Sequence, residues 1–318
     1  MKYLLLCSGI LFFQLVNAQV KWLNVDSLYQ PLAGGVHVFR TSDPVEGKPN
    51  IAFFVRIPLK DKSVVFDADT THRRRITPSA YYERNNYPLL VVNCTFFLQD
   101  NSNANVVVDK GKLVSFNIPS FYSRSDSVYF YTTRSALGID RKGKADVAWI
   151  FTGPEREKPF YLEYAPLVCS GKKVSTTLRE VRKNCSGLSD NPLKKWRMAT
   201  AVGGGPTLIS NGVIRITNEE EKMFTGRAIN DRHPRTAMGY TKDGYLIILV
   251  VQGRFPGIAE GVTLGQEARI LQELGCYEAL NLDGGGSSCM LINGKETITP
   301  CDKTGQRPVP AVFMVKRR

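Results

Sequence analysis

Runs of β-branched and aromatic residues, bounded by Gly, Asn, Asp or Pro, recur along this chain. They predict strands over Ile51–Ile57, Ser63–Phe66, Pro88–Val92, Asn105–Val108, Val128–Tyr131, Val147–Phe151, Thr207–Ile209, Val213–Ile216 and Tyr245–Val251. Helical periodicity is scarce. Its clearest stretch is Thr263–Leu274, where Thr263 and Gln266 have the spacing of a capping box, Leu264, Ala268, Leu271 and Leu274 share one face, and Gly275 supplies a stop. A shorter helix is expected after Thr217, with Glu220 three residues on. Strands and helices alternate in no regular order, so the predicted class is α+β, with β-rich mixed sheets and few helices, and not a βαβ repeat.

The pattern also repeats weakly. At an offset of 101 residues, Arg134-Ser135-Ala136-Leu137-Gly138 falls on Arg235-Thr236-Ala237-Met238-Gly239, Gly143 on Gly244, and Gly111 on Gly212. Each half carries a turn-strand unit around that last glycine, Val108–Val114 in one and Ile209–Ile214 in the other. The repeat predicts two related β-rich halves around a shared cleft.

The first residues change the compartment. Lys2, an apolar run from Tyr3 to Val16 and the small-residue end Val16-Asn17-Ala18 read as a signal peptide over 1–18, giving a periplasmic or secreted product. Cys7 lies inside the apolar run, too early to be the lipid-bearing first residue of a mature lipoprotein, and no later segment has the apolar length of a membrane span. Export permits disulfides among Cys94, Cys169, Cys185, Cys276, Cys289 and Cys301. Connectivity stays open, although Cys169 with Cys185 is attractive because the segment between them is basic, polar and loop-like. No pair has C-x₂-C spacing, which disfavours zinc held by cysteine; a metal requirement is otherwise open and no cofactor is expected. An apolar content of 43% excludes a low-complexity chain. Residues 19–87 are expected to form an N-terminal β-rich segment packed on a main domain at 88–318. The net charge of +13, or +12 without Lys2, favours acidic partners such as phosphorylated glycans, while no helix-turn-helix, RNA-binding or zinc-finger pattern supports nucleic acid.

Candidate chemistry concentrates at Asn281-Leu282-Asp283-Gly284-Gly285-Gly286-Ser287-Ser288. A lone carboxylate on a glycine-rich turn before two hydroxyls suits a polar, oxygen-rich ligand, because glycine lets a ligand approach the main chain and successive N–H groups can hold an anion. The same residues also suit a plain hairpin turn between Ala279–Leu282 and Cys289–Ile292. Four other segments stand out: Val92–Phe97, Gly203-Gly204-Gly205-Pro206, His233-Pro234-Arg235-Thr236 and Gln252-Gly253-Arg254. Neither serine lies in a G-x-S-x-G elbow, so a serine triad is disfavoured, and the glycines do not form a nucleotide phosphate loop.

Taken in order, Asn93 with Phe96-Phe97, Val202–Leu208, Arg235–Gly239, Val251-Gln252-Gly253-Arg254, Gly261-Val262-Thr263-Leu264, Leu282–Ser288 and Arg307-Pro308-Val309 resemble the phosphodiester glycosidase family, over about Pro88 to Val315. The resemblance implies removal of a sugar from a sugar-1-phosphodiester, leaving a phosphomonoester. In such a substrate the departing oxygen is already weakly basic, so stabilising anionic charge counts for more than a strong general acid. Asp283 would serve as nucleophile, as base for water or as stabiliser of an oxocarbenium-like state, and Arg235 and Arg254 would hold phosphate. His233 is a candidate proton carrier or phosphate donor, or a structural residue before a proline turn. Asn93 and Thr236 would hydrogen-bond sugar hydroxyls and Phe97 would stack on the ring, with Phe96 in the core. Gly205, Gly253, Gly284, Gly285, Ser287 and Ser288 complete the expected binding set. A second carboxylate is unassigned among Asp231, Glu267 and Glu278. Cys94-Thr95 departs from the small residues usual after the asparagine. The alternative from another class is a non-catalytic protein that binds sugar-phosphate or glycan at the cell surface; a surface interaction protein is the third.

Overall fold

A computed structural model describes residues 19–118, 120–124, 126–153, 158–171, 177, 179–180, 183, 185 and 192–318. The expected signal segment at 1–18 lies outside the described residues. Strands dominate the regular structure of the described residues, in four sheets, with three α-helices. The eight-stranded sheet runs β1 (Leu23–Asn24), β2 (His37–Thr41), β3 (Ala52–Pro58), β19 (Tyr245–Val251), β18 (Arg235–Thr241), β20 (Cys276–Asn281), β16 (Thr207–Ser210), β17 (Val213–Ile214). The seven-stranded sheet runs β14 (Lys194–Lys195), β12 (Phe160–Leu162), β11 (Ala145–Phe151), β10 (Arg134–Ile139), β15 (Thr200–Gly203), β6 (Val107–Asp109), β7 (Lys112–Ser115). Five strands, β22 (Lys295–Glu296), β21 (Met290–Ile292), β5 (Leu90–Asn93), β23 (Ala311–Arg317) and β4 (Val64–Thr70), form a third sheet. The fourth sheet is β13 (Val168–Gly171), β9 (Val128–Thr132) and β8 (Ser120–Ser123). Residues 19–87 thus pair directly with strands from the far end of the chain: β3 lies against β19, and β4 against β23.

The uninterrupted apolar run of β19 follows from its position. Leu246, Ile248 and Val250 face a core shared with β5, β10, β15 and β23, while Ile247, Leu249 and Val251 face a second core under the helix Leu264–Glu273. A strand buried on both faces has no polar alternation to show. That helix, α3, follows α1 (Pro78–Arg84) and α2 (Asn218–Glu221). Its capping box forms as the sequence predicts: Gln266 N donates to Thr263 Oγ1 at 3.2 Å and Thr263 N to Gln266 Oε1 at 2.9 Å. Leu264, Ala268 and Leu271 are buried, each leucine contributing roughly 2 kcal/mol. At α2 the expected cap is replaced. The Thr217 hydroxyl donates to the Glu221 carboxylate at 2.5 Å instead of capping the backbone.

The 101-residue offset corresponds to a structural repeat. Hairpin β10–β11 matches β18–β19, β6–β7 matches β16–β17, and β15 matches β20. The Gly111 amide donates to Ala199 O at 2.7 Å, as that of Gly212 does to Tyr277 O at 2.7 Å. A Cys169–Cys185 disulfide closes the loop in which it was expected. Cys94, Cys276, Cys289 and Cys301 are free. No helix of the described residues is long and apolar enough to cross a membrane.

Candidate active site

The Asp283 loop is a crossover between sheets. Strand β20 ends in the eight-stranded sheet and β21 begins in the five-stranded one, so the hairpin reading of this glycine-rich turn does not hold. Because it joins two sheets, the loop is anchored by backbone from both halves: Leu282 N donates to Thr236 O, Asp283 N to Cys94 O and Gly285 N to Pro234 O, each at 2.8 Å. Beneath it, Asn93 Nδ2 donates to Asp283 O at 2.5 Å, and Asn93 Oδ1 accepts from the Thr236 hydroxyl at 3.0 Å and from Cys289 N at 3.1 Å. Ser288 Oγ lies 3.2 Å from the same Thr236 hydroxyl. Asn93, Thr236 and Ser288 are at most 1% exposed. They hold the loop from behind and are not among the residues that line the cavity in front of it. Ser287 is buried as well.

In front of the loop is a cavity of about 210 Å³ lined by Phe96, Phe224, His233, Arg235, Arg254, Asp283, Gly284, Gly285, Gly286 and Arg307, with Ala228 and Leu282. It is smaller than the roughly 300–1,000 Å³ of drug-sized sites. The glycines are needed for the arginines to close over it. A Cβ on Gly285 would stand 3.0 Å from Arg254 Nη2, and one on Gly286 would collide with the Arg307 guanidinium. Arg254 is exposed and holds a left-handed backbone at φ +67, a strain of about 1 kcal/mol or more of the kind that clusters at functional sites. Arg307 is steadied by Asp302 through its Nε at 2.5 Å. Arg235 is only 3% exposed, and its Nε and Nη2 donate to the carbonyls of Val262 at 3.1 Å and Asp231 at 3.4 Å. It forms the rear wall, and the more accessible guanidiniums are those of Arg254 and Arg307.

Burial pushes the Asp283 carboxyl up to about 7, against the pull of Ser287, the Arg307 charge and the Gly284 amide. Its Oδ2 has no hydrogen-bond partner. His233 is driven the other way, below its ordinary value, by burial and by the charges of Arg235 and Arg254, with Asp231 opposing. The imidazole is therefore neutral at pH 7, and its Nδ1 sits 3.5 Å from Arg254 Nη2. Asp283 is the one carboxylate lining the cavity among the described residues. Glu278 instead accepts from Tyr240 Oη at 2.6 Å and Val147 N at 3.0 Å. Glu267 is fully buried, both its oxygens lack partners, and burial raises its carboxyl to about 8 with only the Arg235 charge opposing.

Besides Asn93, Thr236, Ser287 and Ser288, three more expected residues are absent from the cavity lining. The Phe97 ring lies under the Arg75 guanidinium, 5.0 Å from it, and Phe96, expected in the core, lines the cavity in its place. Gly253 packs against Pro234 and Gly261, and Gly205 against Glu221 and Met223. Gly205 marks the first half's counterpart of the Asp283 position. Ala136 pairs with Gly203 as Ala237 pairs with Asn281, which sets Gly204 at the place of Leu282 and Gly205 at that of Asp283. Their amides agree: Gly204 N donates to Ser135 O at 2.9 Å, as Leu282 N does to Thr236 O. In this half the space is filled by the Glu221 carboxylate. It accepts from Ser135 N at 2.7 Å, Ser135 Oγ at 3.0 Å, Thr207 N at 2.8 Å, Trp149 Nε1 at 3.1 Å and Thr217 Oγ1 at 2.5 Å. The open cavity therefore belongs mainly to the second half, with Phe96 lent by the first. Arg307 and Phe224 were not among the expected site residues. Arg307 was visible only within its Arg-Pro-Val motif, and Phe224 carried no signal.

Residues 168–316 match the family model described as phosphodiester glycosidase. This stretch, just under half of the chain, is similar to the phosphodiester glycosidase family. It contains every cavity residue named above except Phe96. Among relatives, the chain is 36% identical over 103 residues to N-acetylglucosamine-1-phosphodiester α-N-acetylglucosaminidase of Bos taurus, covering 30% of this chain and 19% of that protein. It is 39% identical over 74 residues to an uncharacterized SPbeta prophage-derived protein of Bacillus subtilis, covering 23% and 11%. The matched part thus spans about a fifth or less of these curated relatives. Among solved structures, the catalytic domain of the zebrafish N-acetylglucosamine-1-phosphodiester α-N-acetylglucosaminidase, auto-inhibited by its pro-peptide, superposes with a TM-score of 0.58 at 19% identity, over 95% of this chain and 89% of that one. A hypothetical protein from Synechocystis gives 0.58 at 17% identity, over 89% and 62%. These two likenesses are of fold alone, and they extend over nearly the whole chain.

Proposed function

We propose that this protein is an exported hydrolase that cleaves a glycosyl-phosphodiester bond, releasing a free sugar and a phosphomonoester. The observation that carries the reading is a single carboxylate, Asp283, set on a glycine run beneath two accessible arginines. Arg254 and Arg307 bind the non-bridging phosphate oxygens, as guanidinium forks do. This places the anomeric carbon toward Asp283 and offsets the charge that grows on the departing phosphate. Arg235 backs the cavity and adds to its positive field. Asp283 attacks the anomeric carbon or takes a proton from water that does. With Nδ1 accepting from Arg254, the neutral His233 carries its proton on Nε2. Phe96 and Phe224 supply the apolar walls. The disulfide and the signal-like first residues support an extracytoplasmic setting.

The test is release of free sugar from α-N-acetylglucosaminyl-1-phospho-methylmannoside. Asp283→Asn should lose about a thousandfold or more in kcat with an unchanged circular dichroism spectrum. Because Asp283 must be ionised to act and its carboxyl is raised to about 7, wild-type turnover should climb as pH rises through that value. Near-normal turnover by a folded Asp283→Asn protein would end the proposal, and saturable sugar-1-phosphate binding without hydrolysis at any pH would favour the binding-protein alternative.

A further inference from the structure

Two larger cavities, about 540 and 370 Å³, adjoin each other at the opposite pole of the eight-stranded sheet and share Asp140, Arg141, Lys142 and Ala199. Strand β3 fixes their distance from the catalytic cavity. Its first residue, Ala52, pairs with Val251 beside Gln252–Arg254, and its last, Pro58, pairs with Tyr245 and leads into the trench at Leu59. Six residue steps at about 3.3 Å each place the trench ~20 Å from the cavity.

Its walls carry Lys60 and Lys62 from the loop after β3, Arg141 and Lys142 from the β10–β11 turn, Lys158 before β12, Arg197 before β15, and Arg318. All seven are exposed, and none of their side chains makes an ion pair or hydrogen bond with the described residues, whereas Arg56, Arg269 and Lys316 elsewhere on the surface are paired. The two lining acids are spent on their own turns. Asp61 Oδ1 accepts from Ser63 N at 2.8 Å and Ser63 Oγ at 2.6 Å, and Asp140 Oδ1 from Lys142 N at 2.7 Å and Lys144 N at 2.9 Å. The backbone beneath the cations is fixed. Gly143 packs so closely on the β3–β4 loop that a Cβ there would stand 2.5 Å from Leu59 O, Leu59 N donates to Gly244 O at 2.9 Å, and Arg318 N donates to Ser63 O at 2.9 Å.

A rigid trench whose seven cations outnumber its two carboxylates calls for an anion, and two joined cavities call for an extended one. Its ring side chains do not suit nucleic acid. Phe66 is half-buried, and Trp196 is 2% exposed with its Nε1 donating to Asp146 at 2.7 Å, so bases would find no exposed aromatic platform. We infer that this trench is an exosite for a stretch of anionic, phosphodiester-bearing glycan, holding a polymer while one of its glycosyl-phosphate groups occupies the Asp283 cavity. This rests on the proposed hydrolase reading and narrows its substrate to polymers longer than the ~20 Å between the sites.

The experiment uses the full chain with yeast phosphomannan as the charged polymer, neutral mannan and single-stranded DNA as comparisons, and two double variants, Lys60→Glu with Lys62→Glu and Arg141→Glu with Lys142→Glu. Wild-type binding to phosphomannan should fall steeply between about 50 and 200 mM salt, and each double variant should weaken it about tenfold or more. Turnover of α-N-acetylglucosaminyl-1-phospho-methylmannoside, too short to span both sites, should stay within about twofold of wild type, which also certifies folding. Unchanged phosphomannan binding in both variants, equal binding of neutral mannan, or equally tight binding of single-stranded DNA would overturn the exosite. Trench-dependent phosphomannan binding with no sugar released from either substrate would instead remove the hydrolase reading and leave the polyanion site standing.

Discussion

Glu267 offers the sharpest test of the electrostatics behind the site. In the folded protein its carboxyl is raised from 4.5 to about 8 by burial, with both oxygens lacking partners and only the Arg235 charge opposing. A group whose folded value is raised keeps its proton longer in the native state than in the unfolded chain. Stability is therefore highest below about 4.5 and is lost as pH climbs to about 8. A difference of roughly three and a half pH units at 1.36 kcal/mol each sets a ceiling of about 5 kcal/mol, and local relaxation and water entry bring the realised effect nearer 2–3 kcal/mol. Glu267→Gln keeps the shape of the protonated acid and cannot ionise. Urea unfolding from pH 4.5 to 8.5 should give nearly equal midpoints for the two proteins at the acid end and a more stable Gln variant at the alkaline end. Comparing variant with wild type removes the parallel contributions of Asp283 and Glu221, whose carboxyls are also raised. Two curves separated by the same amount at every pH would refute the reasoning. A wild type that gains on the variant as pH rises would show that Glu267 ionises as the partner of Arg235.

Asn93→Ala leaves the Thr236 hydroxyl, the Cys289 amide and the Asp283 carbonyl without their shared partner, so stability should fall by about 2–4 kcal/mol, read as a urea midpoint, and kcat should fall more than KM rises because the residue holds the loop and does not touch substrate. Glu221→Ala strips the acceptor from five donor groups and leaves Arg134 buried without its compensating charge, for a loss of about 3–5 kcal/mol in the same assay; a change below about 1 kcal/mol would show that water replaces the carboxylate easily.

What could be read from the chain depended on whether its causes were local. The run Tyr245–Val251 and the helix Leu264–Glu273 were legible because double-sided burial and a capping box leave marks within a few residues. Strand Arg235–Thr241 was not, since Arg235 and Gly239 interrupt its Thr and Tyr, and its polar side chains are accommodated by partners far along the chain, such as Asn93 for Thr236. The helix Pro78–Arg84 was missed despite a local mark: Pro78 opens it and the Thr77 hydroxyl accepts from Ala80 N. At the site, Asp283 and Arg254 were legible from short motifs. That Phe96 and not Phe97 faces the cavity, and that Asn93 lies behind the loop, depends on how β5 is covered by β21 and β23, which no single stretch encodes. Arg307 and Phe224 reach the cavity from segments that only the sheet crossovers bring near Asp283.

The two halves share a hairpin frame and treat a buried carboxylate in opposite ways. In the first, Gly205 leaves room for Glu221, whose oxygens are met by five donors, and a carboxylate so satisfied has no lone pair left for chemistry. In the second, Asp283 takes the equivalent place with Oδ2 unmatched, at a cost of about 1–3 kcal/mol, and its carboxyl is driven toward neutral pH. An orphaned oxygen in a packed fold is tolerated where something else stabilises the surroundings, and here the Asn93 network and three backbone hydrogen bonds hold the loop from the opposite side. The repeat thus contains its own comparison: the backbone frame is common to both halves, and only the half that leaves its carboxylate incompletely satisfied also opens a cavity roofed by arginines in front of it.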